Sequence, residues 1–377
     1  PFDAEIAAAI EATPPADQVP MNGDLVEAVD PRDEYVAEAV KLASGDAAAR
    51  ADLRIVLTAM HGVGAPLTSR VLEEAGFTHV SLVAAQAEPD PDFPTVPFPN
   101  PEEAGALDMA IEQARAEDAD LIIAVDPDAD RCALAVPDPA AEAGWRPLSG
   151  DQIGCLLGEF LASRGIQGSL ANSIVSSRLL ARIAHAHGLV HHTTLTGFKW
   201  IARAPELAFG CEEAIGFCPN PAIARDKDGI ASSVVAASLF AALKTEERTA
   251  WDELDRLAHA HGLHVTGPLT FRVEEIEQIA TGMARLRAQP PSELAGSPVV
   301  EVSDLSEGYQ GLPPTDGVLV LTKAGDRVIA RPSGTEPKLK YYLEVILPAP
   351  EGEPVPWDEA YERLERIKRE FGQIIGL

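Results

Sequence analysis

The stretch LIIAVDPDADRCALAV, Leu121 to Val136, decides the fold: two apolar runs flank a short acidic segment with aspartates at 126, 128 and 130. Apolar runs of about four to eight residues bounded by turn-forming residues read as buried strands. The aspartates therefore fall in a loop joining two strands, with Arg131 directly behind them. Three carboxylates so close together repel, and Arg131, solvent or a metal ion has to compensate them. A strand-end loop can aim alternate carboxylates at one spot. That is an all-oxygen donor set suited to Mg²⁺, which keeps positions open for water or a substrate phosphate. The EF-hand pattern does not apply, because its sixth position falls on Arg131 instead of glycine and its twelfth on Pro137 instead of glutamate.

Working outward, apolar strand-length runs alternate with helical patterns. Residues 3–12 and 34–43 read as helices, 54–60 as a strand, 66–76 as a helix, 79–85 as a strand and 103–119 as the helix before the opening stretch. The proline-rich segment EPDPDFPTVPFPNPEE, residues 88–103, cannot be a central strand and is expected to be a long ordered loop or a linker. A second unit repeats the alternation, with helices over 151–165 and 177–188 and strands over 169–175, 190–195 and 207–214. Residues 229–244 are apolar on nearly every face and read as a buried helix. From about Thr266 the texture becomes strands at 318–322, 326–333 and 338–347, then an amphipathic helix from Trp357 to Phe371. The class is α/β: two three-layer α/β/α domains with mixed sheets, then a smaller α+β C-terminal domain. The expected boundaries are 1–20, 21–140, 141–265 and 266–377.

A chain of 377 residues exceeds one ordinary core. With 59 acidic against 30 basic residues its formal charge is −29, which argues against nucleic-acid and anionic-membrane partners. No apolar run approaches the ~20 residues of a membrane span, and no signal-like leader is visible. Cys132, Cys155, Cys211 and Cys218 form no CxxC pair and read as free thiols of a reducing cytoplasm.

An anionic substrate would have to be met by local basic clusters. The best is ARPSGTEPKLK, Ala330 to Lys340: Arg331 can fork onto phosphate oxygens, while Ser333, Gly334 and Thr335 can offer hydroxyls and backbone N–H groups from a tight turn. RDKDG, residues 225–229, sets Lys227 between two acids, where it could stabilise phosphate charge or move a proton, or simply sit in a charged loop. CEEAIGF places Glu212 and Glu213 at a strand end, able to accept hydrogen bonds from sugar hydroxyls or to pair with Arg225. HGVGAP, residues 61–66, follows a strand as a dinucleotide loop would, but Leu67 stands at the third glycine position. His185, His187, His191 and His192 lack metal-site spacing and read as structural.

Taken in order, TAMHGVG, the proline-rich segment, DPDADR, TLTGFKWI, CEEAIGF, RDKDG and RPSGTEPKLK resemble the α-D-phosphohexomutase superfamily, most closely its phosphoglucomutase and phosphopentomutase branch. The resemblance implies four domains around one cleft, and Mg²⁺ held by Asp126, Asp128 and Asp130. It implies that Arg131 lies beside the transferring phosphoryl group and that Lys227 assists proton transfer. Glu212 would read sugar hydroxyls, Gly197 and Lys199 would lie in a loop near the sugar, and Arg331, Ser333, Gly334 and Thr335 would hold the non-reacting phosphate. Implied partners are glucose 1-phosphate, glucose 6-phosphate and glucose 1,6-bisphosphate. The implied activity is a phosphoserine-dependent interconversion of hexose 1- and 6-phosphates.

Two departures bear on that expectation. Ala214 stands where many relatives have serine in the sugar loop, and no Thr-Ala-Ser-His-Asn-Pro loop occurs, so residues 1–20 resemble the tail of a phosphoserine domain and the chain is expected to be inactive alone. A haloacid-dehalogenase-type phosphotransferase with Asp126 as nucleophile is one alternative; against it, Asp130 stands where threonine or valine is usual. A truncated, non-catalytic sugar-phosphate-binding protein is the other.

Overall fold

The computed structural model of the chain describes residues 2–272, 276–332 and 338–375. The chain divides into two compact units, residues 1–35 and 36–377. In the first, α1 (Phe2–Glu11) is rich in alanine and glutamate, good helix formers, and single 3₁₀ turns follow at Ala16–Gln18 and Gly23–Leu25. Phe2, Ile6 and Ile10 are all exposed, so among the described residues this unit has no core of its own. Helix α2 (Arg32–Val40) runs into the second unit, where Val36 and Ala39 are buried.

The second unit opens with α3 (Ala47–Asp52) and a five-stranded sheet: β1 (Arg54–Thr58), β2 (His79–Leu82), β3 (Leu121–Val125), β4 (Cys132–Pro137) and β5 (Trp145–Pro147), in the order β2-β1-β3-β4-β5. Strands β2, β1 and β3 are parallel, whereas β4 returns antiparallel beside β3 with Val125 opposite Cys132. The opening stretch is thus a hairpin with the aspartates at its tip. All five residues of β3 are buried, because α4 (Ala65–Glu74), α5 (Asp108–Glu117) and α9 (Gly229–Thr245) pack around this sheet. Burial of each of Leu121, Ile122, Ile123 and Val125 contributes about 1.5–3 kcal/mol.

The second sheet holds β6 (Ser169–Ser173), β7 (Val190–Thr194), β8 (Leu207–Glu212) and β9 (Gly216–Cys218) in the order β7-β6-β8-β9, with only β9 antiparallel. Helices α6 (Gly150–Ser163), α7 (Leu179–Ala186) and the one-turn α8 (Phe198–Ile201) flank it. Helix α9 touches β3 and β4 of the first sheet and β9 of the second, which explains why nearly every residue of it is buried. After α10 (Ala250–His261) comes an antiparallel six-stranded sheet of β10 (Leu263–Arg272), β11 (Glu293–Leu294), β12 (Ser297–Asp304), β13 (Val318–Thr322), β14 (Arg327–Pro332) and β15 (Lys338–Leu347). Strand β15 divides by parity: Leu339, Tyr341, Leu343 and Val345 enter the core under α11 (Ile276–Ala288) and α12 (Trp357–Ile375), leaving Lys338, Lys340, Tyr342 and Glu344 on the other face.

The proline-rich segment is an ordered loop. Buried Gln86 accepts from Thr58 Oγ1 at 2.6 Å and donates to Thr95 Oγ1 at 2.9 Å, and Phe93 and Val96 pack on Met60. The four cysteines are buried free thiols. Among the described residues no helix is long and apolar enough to cross a membrane.

Candidate active site

The hairpin tip is shaped by its neighbours. Ala129 takes a left-handed φ of 58° so that its N–H can close on the Asp126 carbonyl at 2.9 Å. The HGVG segment lies against this turn: Val63 N–H donates to the Pro127 carbonyl at 2.9 Å, and a Cβ on Gly62 would fall 2.3 Å from Pro127 Cα and O. Its glycines serve close backbone approach to the aspartate loop. On the other side a Cβ on Gly229, the first residue of α9, would fall 2.3 Å from the Arg131 carbonyl. The loop also bridges to the second sheet, where Arg131 pairs with Gly216 and Cys132 N–H donates to the Ile215 carbonyl at 3.1 Å.

One oxygen from each of Asp126, Asp128 and Asp130 lies within 4.8 Å of the others. Asp126 is buried and accepts from Arg131 N–H at 2.9 Å, Asp130 is half-buried and Asp128 is exposed. Burial, followed by the like charges of Asp130 and Asp128, pushes the Asp126 carboxyl up to about 6 against the pull of Arg131. Lys227 Nζ lies 2.9 Å from Asp130 Oδ2. Burial alone would lower Lys227, but the hydrogen bond to Asp130 and the charges of Asp226 and Glu212 raise it, so it stays protonated. Arg131 Nε is buried without a hydrogen-bond partner among the described residues, 3.8 Å from both Asp126 Oδ2 and Asp130 Oδ1. An all-carboxylate set with one exposed member and an unsatisfied guanidinium N–H beside it fits a hard divalent cation next to an oxyanion.

A cleft of about 730 Å³ brings the three α/β regions together. Its lining includes Arg131 from the hairpin, Glu102 from the proline-rich loop, Glu213 and Ala214 after β8, and Lys340 and Tyr342 from β15. Glu213 is held there by Ser176 Oγ at 2.9 Å and Ser173 Oγ at 3.2 Å. Glu212, one residue earlier on the opposite side of the strand, is buried beside Lys227; burial and the Glu213 charge push it up to about 7. A Cβ on Gly216 would fall 2.8 Å from Glu212 Oε1 and 2.6 Å from Lys227 Cδ, so glycine makes room for both.

The expected site residues are therefore distributed unevenly. Asp126, Asp128, Asp130, Arg131, Lys227 and Glu212 form one cluster. Arg331 lies on the C-terminal sheet directly across from Lys340. Gly197 starts α8 with φ 106°, placing the Phe198 ring 5.6 Å from Lys227 Nζ, while Lys199 is exposed and neither lines the cleft. Ser333, Gly334 and Thr335 lie outside the described residues. His187 bonds Glu159 and His191 bonds Asn172, each at 3.0 Å, in structural roles. Glu102 of the proline-rich segment and Lys340 at the end of RPSGTEPKLK line the cleft although no role was expected of either, and Tyr342 lies beyond any motif; the basic alternation KLK was the available signal for Lys340.

Three family descriptions match in succession: phosphoglucomutase/phosphomannomutase α/β/α domain II over residues 33–139, α/β/α domain III over 149–259 and the C-terminal domain over 242–352. The chain belongs to the phosphoglucomutase/phosphomannomutase family. Its relatives include a Haemophilus influenzae protein named "Probable phosphomannomutase", 42% identical over 91% of this chain and 70% of that protein. A Staphylococcus aureus phosphoglucomutase is 33% identical over 79% of this chain and 58% of its own length. The fold is that of a Burkholderia thailandensis family protein, with a TM-score of 0.66 at 19% identity over 93% of this chain and 66% of that one. The chain thus spans 58% to 70% of the length of these family members, and three of the family's domain types match between residues 33 and 352.

Proposed function

We propose that this chain carries the metal site and the sugar-phosphate-binding walls of a phosphohexomutase. The enzyme would interconvert glucose 1-phosphate and glucose 6-phosphate through an enzyme phosphoserine and glucose 1,6-bisphosphate. The observation that carries the reading is the cleft, which joins Arg131, at the metal loop, to the basic face of the C-terminal sheet. Phosphoryl transfer is mostly positioning and charge stabilisation, so a cation at one end and a phosphate clamp at the other are the parts it requires.

Asp126, Asp128 and Asp130 would hold Mg²⁺, which supplies charge neutralisation at the transferring phosphoryl group when bound. The unsatisfied Arg131 Nε–H orients a phosphoryl oxygen. Protonated Lys227, fixed by Asp130, is placed to give a proton to a sugar oxygen. Glu213, braced by two serines, accepts hydrogen bonds from sugar hydroxyls, and Arg331 with Lys340 holds the non-reacting phosphate. No Thr-Ala-Ser-His-Asn-Pro loop lies within the 377 residues, so this chain binds substrate without turning it over.

Calorimetry with glucose 6-phosphate and Mg²⁺, beside a coupled assay for glucose 1-phosphate conversion, tests this. The expected result is binding without turnover, weakened roughly 10- to 100-fold in Arg331→Gln, as the loss of a charge-assisted hydrogen bond would produce. Unaided turnover would refute the phosphoserine mechanism, and unchanged affinity in the variant would remove Arg331 from the clamp.

A further inference from the structure

The turn that follows β6 braces Glu213 from one side and is gripped by the C-terminal sheet from the other. Ser173 Oγ at 3.2 Å and Ser176 Oγ at 2.9 Å both reach the same Glu213 oxygen, Oε2, and both serines are buried. Between them the chain turns, with Ser176 N–H closing on the Ser173 carbonyl at 3.0 Å. Arg327, the first residue of β14, inserts its guanidinium into this turn. Its Nη1 donates to the Ile174 carbonyl at 2.8 Å, and its Nη2 to the Ser176 carbonyl at 2.6 Å and, at 3.4 Å, to that of Val175. Ile174 and Val175 also pack against Leu305, Leu319 and Ile329.

A buried guanidinium is costly to desolvate, and the cost is offset only where its N–H groups meet acceptors in good geometry. Three consecutive carbonyls bonded to one planar fork leave the turn little freedom. Its far end is fixed as well: Ser177 N–H donates to Asp151 Oδ1 at 2.7 Å, Ser177 Oγ to Glu344 Oε1 at 3.0 Å, and Asn172 Nδ2 to the Ser177 carbonyl at 2.8 Å. A hydrogen bond weakens steeply with poor length and angle, so the position of Ser176 sets the direction in which Glu213 points. Arg331 lies four residues along β14 from Arg327, on the same face and about 13 Å away. One strand thus carries both the proposed phosphate clamp and the grip on the turn.

We infer that Arg327 is a positioning residue for sugar recognition: by holding the turn from Ile174 to Ser176 it orients Glu213 toward the sugar hydroxyls. This rests on the proposed role of Glu213 as a hydroxyl acceptor. Arg327 is itself buried and acts through Ser176. Reading of the sugar therefore depends on how the C-terminal sheet docks on the region that holds Glu213. A residue that merely joined the two regions would affect stability and every ligand alike. A positioning residue changes the discrimination between ligands with and without hydroxyls.

The test is calorimetric titration of the whole chain in Mg²⁺ with two probes, glucose 6-phosphate and cyclohexylmethyl phosphate, which keeps a six-membered ring and the phosphate but has no hydroxyl. Wild type is expected to prefer glucose 6-phosphate by about tenfold or more, as a charge-assisted hydrogen bond would give. Glu213→Ala should remove most of that preference. Arg327→Met should do the same while leaving cyclohexylmethyl phosphate affinity within about twofold of wild type. Arg327→Lys, a point donor that cannot span three carbonyls, should lose about threefold of the preference, and it carries the test if Arg327→Met does not fold. Combining Arg327→Met with Glu213→Ala should cost no more than Glu213→Ala alone, because both act through one contact. A cooperative thermal melt establishes that each variant is folded. An unchanged preference in a folded Arg327 variant, or an equal loss for both probes, overturns the positioning role. If wild type shows no preference, or Glu213→Ala keeps it, the hydroxyl-acceptor reading fails and the positioning role with it; that failure is distinguishable because it needs no Arg327 variant.

Discussion

Glu344→Gln tests whether a buried ion cluster fixes the C-terminal sheet against the sugar-binding region. Glu344 is 1% exposed and accepts from Arg178 N–H at 2.7 Å, Arg178 Nε at 2.5 Å, Ser177 Oγ at 3.0 Å and His264 Nδ1 at 3.0 Å. Arg327, also buried, donates to the carbonyls of Ile174 and Ser176 at 2.8 and 2.6 Å. Removing the anion that these cations share costs about 3–5 kcal/mol; the glutamine carbonyl retains one or two neutral hydrogen bonds at about 1 kcal/mol each, leaving a loss of about 2–4 kcal/mol. At about 2.1 cal/mol/K of unfolding entropy per residue, a unit spanning residues 36–377 shifts by roughly 1.4 °C per kcal/mol, so the melting midpoint should fall by about 3–6 °C. Burial alone would raise the Glu344 carboxyl, but Arg327, His264 and Arg178 outweigh it and hold it well below the usual carboxylate range. A depressed carboxyl contributes stability that is complete above its unfolded value of about 4.3 and is lost as pH falls toward its folded value. The gap between wild type and variant should therefore hold at pH 7 and narrow by roughly 1–2 kcal/mol at pH 3. Scanning calorimetry at both pH values reads this directly. A gap below about 1 kcal/mol at pH 7, or one that stays constant to pH 3, would show that Glu344 does not hold the two regions together as a carboxylate.

Two further outcomes concern the metal loop. Gly229→Ala would drive a Cβ to 2.3 Å from the Arg131 carbonyl and 2.7 Å from that of Ala129; since both are backbone, the loop must shift, at about 1–3 kcal/mol, with weaker Mg²⁺ binding. An Mg²⁺ titration that matches wild type would show that the turn is not held by this contact. In Lys227→Met the carboxylate cluster loses the cation now 2.9 Å from Asp130. Added Mg²⁺ should therefore raise the melting temperature more than it does in wild type, and an equal shift would mean that Lys227 does not neutralise the cluster.

Much of the fold and of the candidate metal site is legible in the sequence because it is local. The β3–loop–β4 hairpin follows from two apolar runs around three aspartates, the burial of α9 from its uniformly apolar sequence, and the strands of the C-terminal sheet from their alternation. The aspartate cluster that could hold a metal is legible for the same reason, since its three carboxylates lie within five residues. The HGVG glycines are harder to read: with Leu67 at the third glycine position they do not complete a dinucleotide loop, and their use shows only against Pro127 and Ala129. Glu212 ends β8 and Glu213 follows it, and only the position of the cleft tells which of them faces it.

By itself, then, the sequence determined which segments are strands and helices and where three carboxylates gather, because side-chain periodicity and turn chemistry act over a few residues. Tertiary structure alone decided that Arg131, Glu213 and Lys340 share one cavity, that Glu344 meets Arg178 and Arg327, and that Arg272 lies across from Lys338. Those pairings depend on strand register and on which faces of separate sheets meet, and no short stretch of chain contains that information.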